Sequence, residues 1–211
     1  LTFLLIQRGY AATFRGDLNA GEEALSEALA VLRDRGGRWG TAPVLNALSQ
    51  VALSRGDFVK AIGFLREGEA VSRETEDAFT LATNLNIQAT ISQLEGDEER
   101  TRTVLEESVA LSSALRDSWA LVYGLVGLAG IAARHGEPER AARLFGAAEA
   151  MGEAASVTIA FPPARALYEQ DLSTVKGRLD ADAFEASWER GRSMGVKEAV
   201  AEALPGNPTD P

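Results

Sequence analysis

The chain has 211 residues, and its 31 acidic and 21 basic side chains give a formal net charge of −10. An acidic surface repels phosphate groups, so we expect no direct nucleic-acid binding by this chain. There is no cysteine, which excludes disulfides, thiolate metal sites and thiol nucleophiles.

A glycine followed by an acidic residue recurs at a constant interval along the chain, at Gly16, Gly56, Gly96 and Gly136. Eleven positions before each glycine stands a leucine, and nine positions after it stands a leucine or phenylalanine. Small residues occupy other fixed positions three or four apart, as on one face of a helix. The pattern predicts an all-α protein built from four stacked units, each a pair of helices: residues 1–40, 41–80, 81–120 and 121–160.

The predicted helices of these units cover residues 1–15, 18–34, 41–55, 58–75, 78–95, 98–115, 118–135 and 138–152. Asp17, Asp77 and Asp117 stand where an N-cap is expected. Pro43 and Pro138 fall in first turns, where the missing N–H costs little.

A bulky residue opens the first helix of three units and recurs after the last one: Trp39, Phe79, Trp119 and Ile159. We expect these side chains to fill the junctions between units, the alternative being an aromatic shelf for a ligand. Gly124, Gly127 and Gly130 recur within one predicted helix, which favours close helix packing over a phosphate loop because no strand precedes them.

The pattern changes after the fourth unit. Residues 152–160 are predicted to be a loop, and helices are predicted over residues 164–179, 181–194 and 196–204. Stacked repeats need an end with a polar outer face, so residues 161–204 are expected to form a C-terminal helical cap. The proline-containing segment 205–211 is expected to be a flexible tail.

The small-residue positions and the Gly-acid turn resemble the tetratricopeptide repeat, whose usual length is about 34 residues. The longer period here implies longer helices or a longer return loop, and the consensus proline that ends the second helix is absent from every copy. The resemblance implies a right-handed superhelical solenoid in which the first helix of each pair lines a concave face. The family's lysine-rich clamp for a C-terminal carboxylate is missing.

A second resemblance lies toward the C-terminus. One series of residues is similar to the sensor region of bacterial LuxR-type and AfsR-like signal-transduction ATPase regulators. It consists of Arg143-Leu144-Phe145-Gly146-Ala147-Ala148-Glu149-Ala150, Pro162-Pro163, Arg165, Tyr168-Glu169, Phe184, Trp188, Gly191-Arg192 and Glu198-Ala199-Val200. The resemblance implies a parent protein with attached nucleotide-binding and DNA-binding domains. Because the chain begins at Leu1 and within the repeat, we interpret it as a fragment of a longer protein.

Seven residues are assigned by their phase to the concave face as candidate partner-binding residues: Tyr10, Asn46, Gln50, Asn86, Thr90, Gln93 and Tyr123. Amides at such positions can bind the backbone of an extended peptide or the polar groups of a small ligand. The other interpretation is that these side chains are only solvated.

The residues that invite a chemical role have simpler explanations. His135, the single histidine, is expected to satisfy carbonyl groups at a helix end rather than catalyse. The acidic group Glu95, Asp97, Glu98 and Glu99 is expected to complement a helix dipole rather than bind calcium or magnesium. We therefore predict no enzyme, no catalytic residue, no metal and no cofactor.

The function predicted from these observations is a non-catalytic interaction or sensor module of a multidomain bacterial transcriptional or signalling regulator. Its partner would be a protein or peptide, including the attached domains of the same chain. The alternative is a small-molecule (inducer) binding domain that uses the concave face. No run of about eighteen apolar residues occurs, so we expect no membrane contact and a cytoplasmic location.

Overall fold

The computed structural model describes residues 2–38 and 40–205, and within these ranges it contains eleven α-helices and no strand. The all-helical class predicted from the sequence is confirmed. Trp39 and residues 206–211 of the predicted tail lie outside the described residues. The helices are α1 Thr2–Phe14, α2 Leu18–Asp34, α3 Thr41–Ser54, α4 Phe58–Glu74, α5 Ala78–Glu95, α6 Glu98–Leu115, α7 Ser118–Arg134, α8 Pro138–Ala155, α9 Pro162–Arg178, α10 Ala181–Arg192 and α11 Val196–Ala203.

Each of the first eight helices is terminated by a residue with positive φ, and these residues recur at an equal interval. The N–H of the following residue donates to the carbonyl five positions earlier, at N···O distances of 2.8–3.0 Å. This 6→1 bond defines the Schellman motif, which satisfies a carbonyl that the helix end would leave unpaired. The eight residues are Gly16, Gly36, Gly56, Glu76, Gly96, Arg116, Gly136 and Ser156.

At five of these turns, the residue that follows is the N-cap of the next helix. The Asp17 Oδ1 atom accepts the N–H of Ala20 at 3.1 Å. The same bond, from the N–H three positions later, recurs at the other aspartates in this position: Asp57, Asp77, Asp97 and Asp117. Each such pair of residues therefore ends one helix and caps another, and the predicted caps at Asp17, Asp77 and Asp117 are confirmed.

The loop predicted over residues 152–160 is too long, because α8 continues through Ala155. Gly152 belongs to the helix, and its carbonyl accepts the N–H of Val157 at 2.8 Å. A Cβ at this position would lie only 2.8 Å from the Val157 carbonyl oxygen. Glycine thus lets the chain turn closely over the last helical turn, and the loop begins at Ser156.

The chain divides into two compact units, Leu1–Ile91 and Ser92–Pro211. In the first unit, consecutive helices pack on each other: α1 on α2, α2 on α3, and α3 on α4. Its core contains Leu25, Leu29, Val44, Leu45 and Leu48, all nearly inaccessible to solvent. This packing between neighbouring helices is what a helical repeat requires.

In the second unit, α7 packs against α6, α8 and α9, and α11 contacts α6, α7 and α8. The approach of α10 to α8 is close enough to bring backbone against backbone. A Cβ at Gly146 would lie 2.3 Å from the carbonyl oxygen of Trp188, and one at Gly191 would lie 2.0 Å from that of Arg143. Only glycine fits at these two positions.

Two of the three glycines that recur in α7 lie close against side chains of neighbouring helices. A Cβ at Gly127 would lie 2.7 Å from the Leu105 side chain of α6, and one at Gly130 would lie 2.1 Å from Asp171 Oδ2 of α9. Close packing, as expected from the sequence, therefore accounts for both glycines. None of the helices in the described ranges combines the length and apolar character needed to cross a bilayer.

We predict that Gly191→Ala lowers the free energy of unfolding by about 1–3 kcal/mol, because the added methyl group must push α10 away from α8. Gly177→Ala is the matched control, since a Cβ at Gly177 meets no atom within 4 Å. The control should be neutral or stabilise by up to about 1 kcal/mol through helix propensity. Urea unfolding followed by circular dichroism measures both; equal effects of the two substitutions would contradict the backbone contact.

A second prediction concerns the turns. Arg116 holds φ at +55° without being glycine, so Arg116→Gly should raise stability by about 0.5–1 kcal/mol by relieving the left-handed strain. Gly136→Ala should lower it by about 1–2 kcal/mol, although a Cβ there would meet no neighbour. The midpoint of urea unfolding at constant slope gives both values, and a loss on Arg116→Gly would show that the turn is not strained.

Candidate functional site

The seven candidate partner-binding residues fall in both units. Tyr10, Asn46, Gln50, Asn86 and Thr90 belong to the first unit. Gln93 and Tyr123 belong to the second. Their role in binding a partner stays a prediction, but the structure shows how their polar atoms are used within each unit.

In the first unit, Asn46 takes part in a chain of buried amides that links α3, α4 and α5. Gln88 Nε2 donates to Asn84 Oδ1 at 2.8 Å, and Asn84 Nδ2 donates to Asn46 Oδ1 at 2.7 Å. Asn46 Nδ2 in turn donates to the Thr80 carbonyl at 3.1 Å. A ligand that bound the Asn46 amide would have to replace these bonds, because a buried amide that is left unpaired costs stability.

Two further hydrogen bonds attach this amide chain to α4. Gln88 Nε2 also donates to Glu69 of α4 at 2.8 Å, and Asn84 Nδ2 also donates to the Leu65 carbonyl at 3.1 Å. A Cβ on Gly68 would lie 3.0 Å from the Asn84 amide, so glycine makes room for the chain. The network thus joins the three helices through directional bonds as well as apolar packing.

Other candidates of the first unit are also engaged or buried. Tyr10 Oη donates to the Pro43 carbonyl at 3.1 Å, and burial raises the pKa of Tyr10 to about 12. Thr90 Oγ1 donates to the Asn86 carbonyl at 3.0 Å within α5. Gln50 and Asn86 are both buried.

In the second unit, Gln93 belongs to a polar cluster around Asp171, a buried carboxylate on α9. Gln93 Nε2 donates to Asp171 Oδ2 at 2.9 Å, and Arg134 Nη1 donates to both carboxylate oxygens at 2.8 and 2.9 Å. The carboxylate lies over Gly130, which provides the space. This cluster fixes α9 against α7 by charge-assisted hydrogen bonds.

Nearby, His135 Nε2 pairs with Glu98 at the start of α6, and Arg134 Nε approaches Glu98 at 3.7 Å. Asp97 caps α6 through the N–H of Arg100. Asp97 and Glu98 therefore take part in contacts that hold this part of the unit together. Over the described ranges, no three His, Asp or Glu side chains converge in a way that could hold a metal ion.

A groove of about 730 Å³ lies in the second unit between α7, α8, α9 and the loop after α8. Its floor is apolar and is formed by Val122, Val126, Phe145 and Ala148. Phe145 is fully buried and meets the ring of Tyr168 edge-on, with 5.4 Å between ring centroids. We call this recess the α7–α9 groove.

Tyr123 positions the loop that forms one wall of the groove. Its hydroxyl accepts the N–H of Ala160 at 3.1 Å and that of Phe161 at 3.4 Å. Its ring stacks on Trp119 with 4.4 Å between centroids. The loop is held at its other end by the Val157 N–H bond to Gly152. Tyr123, predicted as a binding residue, is therefore placed to support this wall.

Charged side chains form the rim of the groove. Glu149 and Glu153, one turn apart on α8, both pair with Arg192 of α10, and Arg192 holds the pKa of Glu153 below its usual range. Arg165 Nε donates to Glu169 Oε1 at 2.8 Å on α9. The rim thus presents three carboxylates over an apolar floor.

The repeat pattern did not indicate the groove, because the groove also needs α9 and the loop before it, and the repeat pattern does not predict how these pack on α7 and α8. Asn84 was missed because its spacing of 38 residues from Asn46 differs from the repeat period. Asp171 was missed because its partner Gln93 is 78 residues away. Gly130, one of the three glycines predicted to allow close helix packing, was the sign in the sequence that another helix lies close to α7 here.

We predict that Gly130→Ala and Asp171→Ala are strongly non-additive. Each alone should lower stability by about 1–3 kcal/mol, the first through overpacking and the second by leaving Arg134 and Gln93 without their acceptor. In the Asp171→Ala background, Gly130→Ala should raise stability by about 0.5–1 kcal/mol, because alanine is the better helix former. Urea unfolding of the four proteins gives the cycle, and simple additivity would contradict the contact.

Comparison of the chain with models of protein families, with curated proteins and with solved structures gives no match.

Proposed function

We propose that the chain is a non-catalytic interaction and sensor module that binds a protein or peptide partner. The observation that carries this proposal is the α7–α9 groove, an apolar floor with a charged rim on a helical scaffold. Grooves of this kind recognise segments whose apolar side chains fill the floor while their polar groups meet the rim.

The helix pattern supports the same proposal. Equally spaced turns, each ending one helix before the next begins, favour four stacked hairpins of equal length. The resemblance to the tetratricopeptide repeat implies that the stack is a right-handed solenoid. The helices α9 to α11 would then cap the last hairpin. Stacked hairpins of this type present extended surfaces, and partner recognition is their usual use.

The parent protein is proposed on the resemblance alone. The residues on which the resemblance to LuxR-type and AfsR-like regulators rests include Phe145, which forms part of the groove floor, and Gly146 and Gly191, where α8 and α10 approach closely. In such a protein the groove would sense a partner and pass the signal to nucleotide-binding and DNA-binding domains of the same chain. The concave-face candidates are proposed as further partner contacts, and a partner there would have to replace the bonds that Tyr10, Asn46 and Gln93 make within their own units.

A second candidate function is the binding of a small-molecule inducer, and the size of the groove favours it. Sites for drug-sized molecules occupy about 300–1,000 Å³, and the groove, at about 730 Å³, falls within that range. This candidate places the inducer in the α7–α9 groove rather than on the predicted concave face.

The test is a selection of random displayed peptides against the purified chain, followed by calorimetry with the enriched peptides. Val126→Trp fills the groove floor at a partly exposed position. Val59→Trp makes the same change at a residue that is 85% exposed on α4 of the first unit, and serves as the matched control. Circular dichroism verifies that both variants fold.

We expect the enriched peptides to bind the wild type and Val59→Trp equally and to lose about tenfold or more affinity for Val126→Trp. Peptides that bind Val126→Trp as well as the wild type would contradict the groove as the site. Enrichment of no peptide, together with a metabolite that stabilises the wild type but not Val126→Trp against heat, would establish the second candidate in place of the first.

A further inference from the structure

We propose that the α7–α9 groove is selective for an extended peptide segment that combines apolar side chains with arginine or lysine and pairs its backbone with the loop at Thr158 and Ile159. The proposal rests on the proposed function, because it names the chemistry of the partner at the same groove. It follows from three properties of the site, namely its floor, its charge and its unpaired backbone groups.

The floor selects apolar side chains. Val126 is the partly exposed residue of the floor, and Val122, Phe145 and Ala148, which also line the recess, are almost fully buried and have apolar side chains. Filling such a recess with aliphatic or aromatic groups removes apolar surface from water at about 25 cal/mol per Å². In an extended segment alternate side chains point to one face, so residues two apart can enter the recess together.

The charge of the rim selects basic side chains. Within the described ranges, the carboxylates of Glu149, Glu153 and Glu169 are paired with two guanidinium groups, those of Arg165 and Arg192. Arg192 is further shared with a fourth carboxylate, Glu189, at 3.9 Å. A net negative charge therefore remains at the rim, and both Glu153 and Glu169 are 60% exposed and accessible to a partner.

The negative charge of the rim affects the pKa of Tyr168, which lines the groove. Its pKa is raised first by burial and then by the carboxylates of Glu149 and Glu169. Both carboxylates therefore act on the hydroxyl even though each is paired with an arginine. An ammonium or guanidinium group near Tyr168 would be stabilised by the same carboxylates and by the face of the aromatic ring.

The loop selects a peptide rather than a compact organic cation. Thr158 and Ile159 line the groove, and in the described part of the chain their backbone N–H groups have no hydrogen-bond partner. The neighbouring N–H groups of Val157 and Ala160 are used within the unit. An extended peptide offers backbone carbonyls at regular intervals to accept such N–H groups, as in strand addition at an exposed edge.

The experiment uses three fluorescein-labelled hexapeptides that alternate leucine with arginine, with serine or with glutamate. Fluorescence polarisation measures their affinities for the wild type, for Glu153→Gln/Glu169→Gln and for Glu23→Gln/Glu27→Gln. The last variant removes the same charge from exposed positions of α2 in the first unit and is the matched control. A solution of octylamine tests whether a simple amphipathic cation competes.

We expect the arginine peptide to bind the wild type about tenfold tighter than the serine peptide, and the glutamate peptide to bind weakest. The groove variant should lose that preference, while the control variant keeps it within about twofold. Bound arginine peptide should slow hydrogen exchange at the amides of Thr158 and Ile159, as measured by NMR, and octylamine should not.

The outcomes separate this inference from the proposed function. Equal loss of preference in the control variant would show that the total charge of the protein, rather than the groove, attracts the peptide. Peptides from the selection that bind the groove without basic residues would overturn the inference and leave the proposed function intact. If no peptide of either origin binds the groove, both proposals fail.

Discussion

The backbone turn that ends each of the first eight helices is the constraint on which the rest of the molecule depends. A residue with positive φ reverses the chain, and the next N–H closes on the carbonyl five positions earlier. Because this turn recurs at an equal interval, helix length is set locally and nearly uniformly. Side chains at equal distances from the turn therefore occupy equal positions in each pair of helices, which makes repetitive packing possible.

Small residues permit the close approach of helices on which the groove depends. In the second unit, Gly146 and Gly191 bring α8 and α10 together at their backbones, and Gly130 admits the carboxylate of Asp171. With α8 held between α7 and α10, its remaining face and the loop after it enclose the α7–α9 groove. The groove thus forms where α9 and the loop before it pack on α7 and α8, after the last of the regularly spaced turns.

The repeat was visible in the sequence because glycine is the usual residue at positive φ, and the four Gly-acid pairs at Gly16, Gly56, Gly96 and Gly136 marked every second turn. The turns at Glu76, Arg116 and Ser156 have the same geometry without glycine. At these three turns, tertiary packing and the local hydrogen bond maintain the positive φ. The residue types therefore did not indicate the turns, and the predicted end of α8 was too early.

Polar contacts between distant residues could not be predicted from the repeat. Nothing in the spacing of Asn46 and Asn84, or of Gln93 and Asp171, predicts that their side chains meet, since each bond depends on how helices are rotated about their axes. Helix rotation follows from the whole set of side chains at an interface, which a periodic pattern describes only on average. The candidate residues on the concave face rest on such a periodic pattern, so the pattern does not predict their individual contacts.

The turns also bear on how the chain acquires its structure during synthesis. Each turn closes through a hydrogen bond that spans only five positions. The aspartate cap that follows five of the turns spans three positions. Such short-range contacts need little loop closure, and topologies rich in them fold fast. Each hairpin can therefore form before residues far along the chain have been synthesised, and the stacking of the next hairpin on it then adds the apolar packing that a lone helix lacks.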